Sequence, residues 1–208
     1  MSERARSEAP HAPGKRELNA IRNRNAILAA AREVFCELGY GAATVRDIIR
    51  RTDLATGTFY NYFPDKQAVL HVLIEDFRRE LRRRVHEARR AAGTLEEMLQ
   101  SAFRACFELF VEDEVVLALM IRNAGEIHEL TSIAALEPAT AELAADLRSK
   151  VKEGVVPSID VDRFAGAMTA VASDLAFRTV RTPFDVDLAT RFSVELFLGG
   201  IERMSREG

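Results

Sequence analysis

The chain has 208 residues, of which 48% are hydrophobic and 29% are charged, and its formal net charge is −3. This length and composition are typical of a globular protein with one or two packed domains. No run of 18 apolar residues and no apolar N-terminal segment occurs, which argues against a membrane span and against secretion. We therefore predict a cytoplasmic protein without a membrane partner.

The two cysteines lie far apart in the chain. Cys36 and Cys106 both stand in apolar helical contexts and outside any metal-ligand spacing. Buried free thiols are a better interpretation than a redox pair, and they suit a reducing compartment. We predict no metal site and no cofactor.

Charge is distributed unevenly along the chain. Residues 1–62 hold 10 Lys and Arg against 7 Asp and Glu, whereas residues 63–208 hold 19 against 25. A mildly basic first part on an acidic body is compatible with binding DNA through a local patch.

The N-terminal part begins with residues 1–16, which carry charge and proline but no periodicity, and we predict a disordered arm there. A helix should follow from Glu17 to Leu38 and end at Gly39. Its apolar stripe consists of Ile27, Ala31, Val34, Phe35 and Leu38.

Residues 44–63, TVRDIIRRTDLATGTFYNYF, read as two short helices joined by a tight turn. Thr44 is placed to cap the first helix, and the second begins near Thr56 with Phe59 and Phe63 facing inward. This pattern fits either a plain helical hairpin or a helix-turn-helix whose second helix enters the major groove of DNA. We call residues 44–63 the reader.

The stretch TGTFYNYFPDKQAVL closely resembles the TetR family of bacterial repressors, and the resemblance extends from Asn19 to Leu73. Two residues depart from the family pattern. Asp53 replaces the usual Gly, and Ala55 replaces a frequent capping Ser, so Thr56 is an alternative cap. The start of the recognition helix is thus open by one residue.

The resemblance implies that the reader binds double-stranded DNA. We expect one of the two tyrosines, Tyr60 or Tyr62, to pack under the reader. The candidates for contacting phosphate are Thr44, Tyr60, Tyr62 and Lys66. The candidates for approaching base edges are Arg46, Thr56, Gly57, Thr58 and Asn61.

A long helix is predicted from Asp65, its cap, to Ala92. It contains seven arginines between Arg78 and Arg90, a run that invites a nucleic-acid interpretation. Because the resemblance places this helix behind the reader, we favour a solvated face with acidic neighbours three or four residues away.

Four more helices are predicted beyond Gly93. Thr94 and Glu97 form a capping box for the first of them. The others cover about Ser132–Glu153, Asp160–Arg181 and Asp185–Arg206.

In the family, a small-molecule ligand lies between the long fourth helix and the three helices that follow. The matching segments offer apolar residues with a few polar ones, as ligand pockets require. A fatty, aromatic or acyl-conjugate effector of unknown identity would fit. The candidates are Phe77, Phe103, Phe107, Phe110, Leu117, Met120, Ile121, Arg122, Asn123 and His128.

The last two helices look apolar around more of their circumference than one buried face requires, so they either lie deep in the core or pair with another chain. Family members form homodimers through this pair of helices. The dimer candidates are Phe164, Met168, Val171, Leu175, Leu188, Phe192, Leu196, Phe197 and Ile201.

The predicted fold is all-α. A three-helix helix-turn-helix domain (17–64) is joined by a long helix to a helical ligand-binding and dimerisation domain (65–208). The predicted function is that of a homodimeric repressor which binds a near-palindromic operator and is released by a small, largely apolar ligand. A constitutive DNA-binding protein without an effector is one alternative. An all-α enzyme is the weaker one, since the four histidines are scattered and no catalytic motif occurs.

Overall fold

A computed structural model describes residues 14–113, 116, 119, 136–178 and 184–206. Every regular element within these ranges is an α-helix, which confirms the predicted all-α class. Numbered in order along the described chain, the helices are α1 (Lys15–Leu38), α2 (Val45–Ile49), α3 (Thr56–Phe59), α4 (Lys66–Ala91), α5 (Leu95–Glu112), α6 (Glu137–Lys152), α7 (Val161–Arg178) and α8 (Val186–Arg206).

Helix α1 begins at Lys15, two residues before the predicted start, so Lys15 and Arg16 belong to the helix and not to the predicted arm. Residues 1–13 of that arm lie outside the described residues. It ends at Gly39, which adopts φ 79° and donates its N–H to the carbonyl of Phe35. Only glycine takes up such a backbone conformation without a steric penalty. The expected apolar stripe is buried except at Leu38, which is 48% exposed because it lies at the last turn, beyond the core.

The reader forms the predicted pair of short helices. Thr44 caps α2 in a reciprocal box, in which Thr44 Oγ1 accepts from the N–H of Asp47 and the Asp47 carboxylate accepts from the N–H of Thr44. Helix α3 begins at Thr56 with Ala55 at its N-cap position. The idea that Thr56 caps this helix is therefore wrong, and α3 lacks a side-chain cap because alanine has no acceptor.

Helix α4 connects the reader to the rest of the chain. Asp65 Oδ1 accepts from the N–H of Ala68 at 2.8 Å and fixes its start, as predicted. The helix packs against α1 and, more extensively, against α5. One helix thus runs from the DNA-reading region into the second helical region.

The second region is built around aromatic side chains. Phe103 of α5 stacks on Phe107 at 6.0 Å between ring centroids and on Phe197 of α8 at 5.7 Å. Phe77 of α4 meets Phe110 edge to face at 5.0 Å. These contacts hold α4, α5 and α8 together, and they leave one face of α8 without a neighbour in the described chain.

Candidate DNA-reading surface and internal cavity

The reader presents a polar and aromatic surface to solvent. Tyr60 is 58% exposed, although it stands beside the fully buried Phe59. The predicted contact residues that are exposed are Thr44, Arg46, Thr56, Gly57, Tyr60 and Asn61, and those that are half-buried are Thr58, Tyr62 and Lys66.

The two tyrosines of the reader have different environments. The Tyr62 ring packs against the core, and its hydroxyl accepts a hydrogen bond from Asn23 Nδ2 of α1 at 3.3 Å. The Tyr60 ring projects outward. Tyr62 is therefore the tyrosine that packs under the reader, which leaves Tyr60 as the freer candidate for phosphate.

Lys66 lies where α4 meets the turn between α1 and α2. Its Nζ donates to the carbonyls of Tyr40 (2.7 Å), Gly41 (3.1 Å) and Ala43 (2.9 Å), and it sits 4.5 Å from the centre of the Tyr40 ring. These three bonds use all three ammonium protons. The geometry gives Lys66 a structural partner set, in place of the free phosphate contact expected from its position in the sequence.

A network of ion pairs fastens α2 to α1. Arg51 pairs with both Glu33 and Glu37 of α1, and its hydrogen bond lowers the pKa of the Glu37 carboxyl. Arg46, in contrast, is exposed and forms no ion pair within the described part of the chain. DNA could therefore contact the Arg46 guanidinium without breaking a salt bridge.

A second link joins the reader's domain to the other helices. Arg32 of α1 forms an ion pair with Asp113, which directly follows α5. The long helix was the connection predicted between the two domains, so this pair is a second link that the prediction did not include. The sequence gives no sign of it, because the two residues are 81 positions apart.

A cavity of about 140 Å³ lies among α4, α5, α6 and α7. Phe77, Phe103 and Phe110 line it, as predicted for ligand-binding residues. Phe107 does not, because its ring is fully buried between Phe103 and Phe184. The other six predicted ligand residues, Leu117, Met120, Ile121, Arg122, Asn123 and His128, lie outside the described residues.

Several lining residues were missed or assigned elsewhere. Met168, expected at a dimer interface, is 3% exposed and lines the cavity, since it faces inward from α7. Three arginines of the run taken as a solvated face also line it. The full lining is Phe77, Arg78, Leu81, Arg82, Val85, Arg89, Ala102, Phe103, Cys106, Phe110, Leu136, Ala139, Glu142, Leu143, Met168, Thr169, Ala172, Ser173 and Phe177.

Helical spacing explains why these arginines face the cavity. Arg78, Leu81, Arg82 and Val85 recur three or four residues apart, so they share one face of α4. That alternation of arginine with apolar residues was the available signal in the sequence. The run of seven arginines hid it.

Burial also sets the chemistry of the cavity wall. Desolvation raises the pKa of the Cys106 thiol to about 12, so this cysteine stays protonated and unreactive near neutral pH. Arg89, nearly buried, forms an ion pair with Asp146 at 2.8 Å. The cavity is thus a largely apolar space with a few fixed charges at its edge.

The predicted dimer residues divide into three groups by their burial. Phe164, Phe197 and Ile201 are buried inside the chain's own core, so they do not form an exposed interface. Val171 and Leu175 are half-buried. The members of α8 that project outward are Leu188 (53% exposed), Phe192 (52%) and Leu196 (47%).

These three residues are spaced four apart, so they form one apolar stripe along α8. We call Leu188, Phe192 and Leu196 the α8 stripe. Such a contiguous exposed apolar row on a helix is typical of an interaction surface.

Searches of the described ranges for other kinds of site give two further results. No helix there is long and apolar enough to cross a bilayer. No group of three His, Cys, Asp or Glu side chains there is arranged to hold a metal ion.

The described chain is all-helical and combines an exposed helix-turn-helix with a helical region that contains a cavity. These features together are typical of helix-turn-helix regulators. Residues 27–73 match the family model described as bacterial regulatory proteins, tetR family. This region of the chain is therefore that of the TetR family, in agreement with the resemblance of the reader.

Curated relatives are also regulators. The chain is 26% identical over 144 residues to the HTH-type transcriptional repressor KstR2 of Mycolicibacterium smegmatis, a match that covers 67% of this chain and 70% of that one. It is 28% identical over 97 residues to the HTH-type transcriptional regulator UidR of Escherichia coli, which covers 47% of this chain and half of UidR.

Solved structures share the fold over nearly their whole length. The fatty acid degradation regulator FadR of Bacillus halodurans superposes with a TM-score of 0.71 at 20% identity, covering 94% of this chain and 98% of that one. FadR of Bacillus subtilis, solved in complex with stearoyl-CoA, gives a TM-score of 0.70 at 22% identity, with 85% and 98% covered.

Proposed function

We propose that the chain is a homodimeric transcriptional repressor that binds a near-palindromic operator and is released by a small, largely apolar ligand. One chain combines an exposed polar reader, a cavity in the helical region and the outward-facing α8 stripe, and this combination supports the proposal. The first of these suits DNA, the second an effector and the third a second copy of the chain. We assign residues 17–64 to the DNA-binding domain and 65–208 to the effector and dimerisation domain, acting in the cytoplasm.

The reader supplies two kinds of DNA contact in this proposal. Tyr60 and Thr44 lie at its exposed edge and are assigned to phosphate. Arg46 and Asn61 are exposed side chains able to pair with base edges in the major groove. Thr56, Gly57 and Thr58 stand at the start of α3, where the backbone itself approaches the bases.

Dimerisation through α7 and α8 gives the operator its symmetry. A two-fold dimer presents two copies of α3, and half-sites are then expected about one helical turn of DNA apart. The α8 stripe of each chain would be covered by its counterpart. The name of KstR2 supports repression, and the stearoyl-CoA complex of Bacillus subtilis FadR supports a cavity that receives an apolar ligand.

The test is fluorescence anisotropy with DNA from upstream of the chain's own gene, followed by footprinting. We expect two protected half-sites, and Arg46→Ala should weaken operator binding by about 1–3 kcal/mol, the range for one base contact. Arg163→Ala is a matched control, since it removes the same charge from a 90% exposed side chain on α7. Equal losses from both variants, or a single protected half-site, would contradict the proposal.

A further inference from the structure

One wall of the cavity carries arginines that were not expected to face a ligand. Arg78 and Arg82 lie one turn apart on α4, and their side chains are only 18% and 25% exposed. Around them the lining is apolar, with Phe103 and Phe110 from α5 and Phe177 from α7. Cations at the edge of an apolar cavity favour a ligand with a negative head and an apolar body.

Of the three arginines on this wall, Arg78 lies farthest from its closest ion-pair partner. Arg89 is paired with Asp146 at 2.8 Å, and Arg82 with Glu75 at 3.1 Å. Among the described residues, the closest ion pair of Arg78 is with the same Glu75, at 3.9 Å.

The pKa of the Arg78 guanidinium lies below its ordinary value, chiefly because the side chain is partly buried. Burial lowers it, the repulsion from Arg82 lowers it further, and Glu75 acts in the opposite direction. Arg82 also pairs with Glu142 of the lining at 3.9 Å, so among the described residues Arg78 is the arginine of this wall without a carboxylate of its own.

We propose that the cavity binds a small apolar carboxylic acid, with its carboxylate against Arg78 and its apolar body among Phe103, Phe110 and Phe177. A carboxylate matches the planar guanidinium and supplies Arg78 with a close partner. This inference rests on the proposed function, because it names the ligand class for the same cavity.

The volume of the cavity indicates which acids fit within it. At about 140 Å³ it is close to the engineered cavity of about 150 Å³ that binds benzene. One aromatic ring, or a chain of about six carbon atoms, therefore fills it. A free carboxylic acid of this size is a different ligand class from the stearoyl-CoA bound to Bacillus subtilis FadR.

The test is isothermal titration of the full chain with benzoate and hexanoate, each compared with its alcohol, benzyl alcohol or hexan-1-ol. We expect the acids to bind at least about tenfold more tightly, since a charge-assisted pair is worth roughly that factor. Arg78→Gln should abolish the preference for acids and retain alcohol binding, which shows that the cavity is intact. Arg79→Gln is the matched control, because Arg79 is 68% exposed and lines no part of the cavity.

Three outcomes would overturn the inference. They are equal affinity of acid and alcohol, loss of the preference in Arg79→Gln as much as in Arg78→Gln, and binding of stearoyl-CoA with no binding of either acid. Operator binding, measured in parallel without probe, tests the proposed function by itself. If the acids bind with the expected preference but leave operator affinity unchanged, the inference stands and release by a ligand fails.

Discussion

Lys66 holds the first turn of α4 against the connection between α1 and α2. Its ammonium group has three carbonyl partners within 3.1 Å, and it lies over the Tyr40 ring. Removing the side chain leaves those carbonyls without a charged donor, which is costly in a partly buried setting. A phosphate contact at this position would require the lysine to leave its partners.

We expect Lys66→Ala to lower the free energy of unfolding by about 1.5–3 kcal/mol, the range for hydrogen bonds to a charged group. The dependence of operator binding on salt should remain that of the wild type, because no phosphate contact is lost. Urea unfolding and binding titrations at several salt concentrations measure the two quantities. Gln67→Ala, at an exposed neighbouring position, controls for the helix. A salt slope smaller by about one unit would instead restore the phosphate assignment.

Gly57 lies in the first turn of α3 and is exposed. A Cβ atom added there meets no other atom within 4 Å in the unbound chain, so alanine fits without a clash. Any effect of a methyl group on DNA binding then reports how closely the backbone approaches DNA.

We predict that Gly57→Ala leaves the chain as stable as the wild type or up to about 1 kcal/mol more stable, since alanine favours helix over glycine. Operator affinity should fall by about 1–3 kcal/mol, comparable to the loss of one base contact. Thermal unfolding and anisotropy on the same preparation separate the two effects. Unchanged operator affinity would show that this backbone does not approach the bases.

At the scale of helices, the sequence predicted where α4 and α5 begin, but it did not predict which distant residues the helices contact. The starts of α4 and α5 follow from Asp65 and from the box of Thr94 with Glu97, since a cap depends on residues three positions away. The partners of Lys66 lie 23 to 26 residues away in sequence. No local pattern encodes such contacts.

The same reason explains the mixed result for α8. Phe192 and Phe197 are both aromatic and lie five positions apart, yet one is exposed and the other is buried against Phe103 and Phe164. Composition shows that α8 is apolar on several sides. The positions of α5 and α7 determine which side belongs to the core of the chain.

The ion pair of Arg32 with Asp113 is expected to hold α1 against the end of α5. Asp113→Asn removes the charge and keeps an oxygen for the N–H of Val116, which Asp113 Oδ1 accepts at 3.1 Å. Because the pair is partly exposed, we expect a loss of only about 0.5–1 kcal/mol. It should appear as amide exchange roughly 2- to 5-fold faster in α1, while α6 and α7 exchange as before.

Glu112→Gln is the control for this change, because it also removes one carboxylate at the end of α5. Glu112 pairs with Arg84 of α4, so it does not join the reader's domain to α5. Hydrogen exchange followed by mass spectrometry resolves the helices. Equal acceleration of α1 in both variants would mean that the Arg32 pair has no special part in joining the domains.

At the scale of the whole molecule, substitutions on α8 can distinguish an effect on dimerisation from an effect on folding. Phe192→Glu places a charge on a side chain that is 52% exposed in the single chain, whereas Phe197→Glu places one in the core. The first should give a folded monomer and the second an unfolded or aggregated chain, because burying an unpaired charge costs several kcal/mol. Sedimentation of the wild type at micromolar concentration should show a dimer.

Circular dichroism of both variants completes this test. A helical spectrum for Phe192→Glu, together with a monomeric mass, is the expected result. A dimeric Phe192→Glu protein would contradict the proposed role of the stripe, and a monomeric wild type would contradict dimerisation itself.

The anchors at Lys66 and Arg32 have a mechanical consequence. Helix α4 rises about 1.5 Å per residue, so Phe77, at the cavity, lies roughly 17 Å from Lys66. Lys66 holds the first turn of α4 to the connection that precedes the reader. A tilt of α4 by about 6° at the cavity would therefore displace that turn, and the reader with it, by roughly 2 Å. Because the ion pair of Arg32 with Asp113 also holds α1 against the end of α5, we expect such a tilt to rotate the reader and not to translate the whole domain.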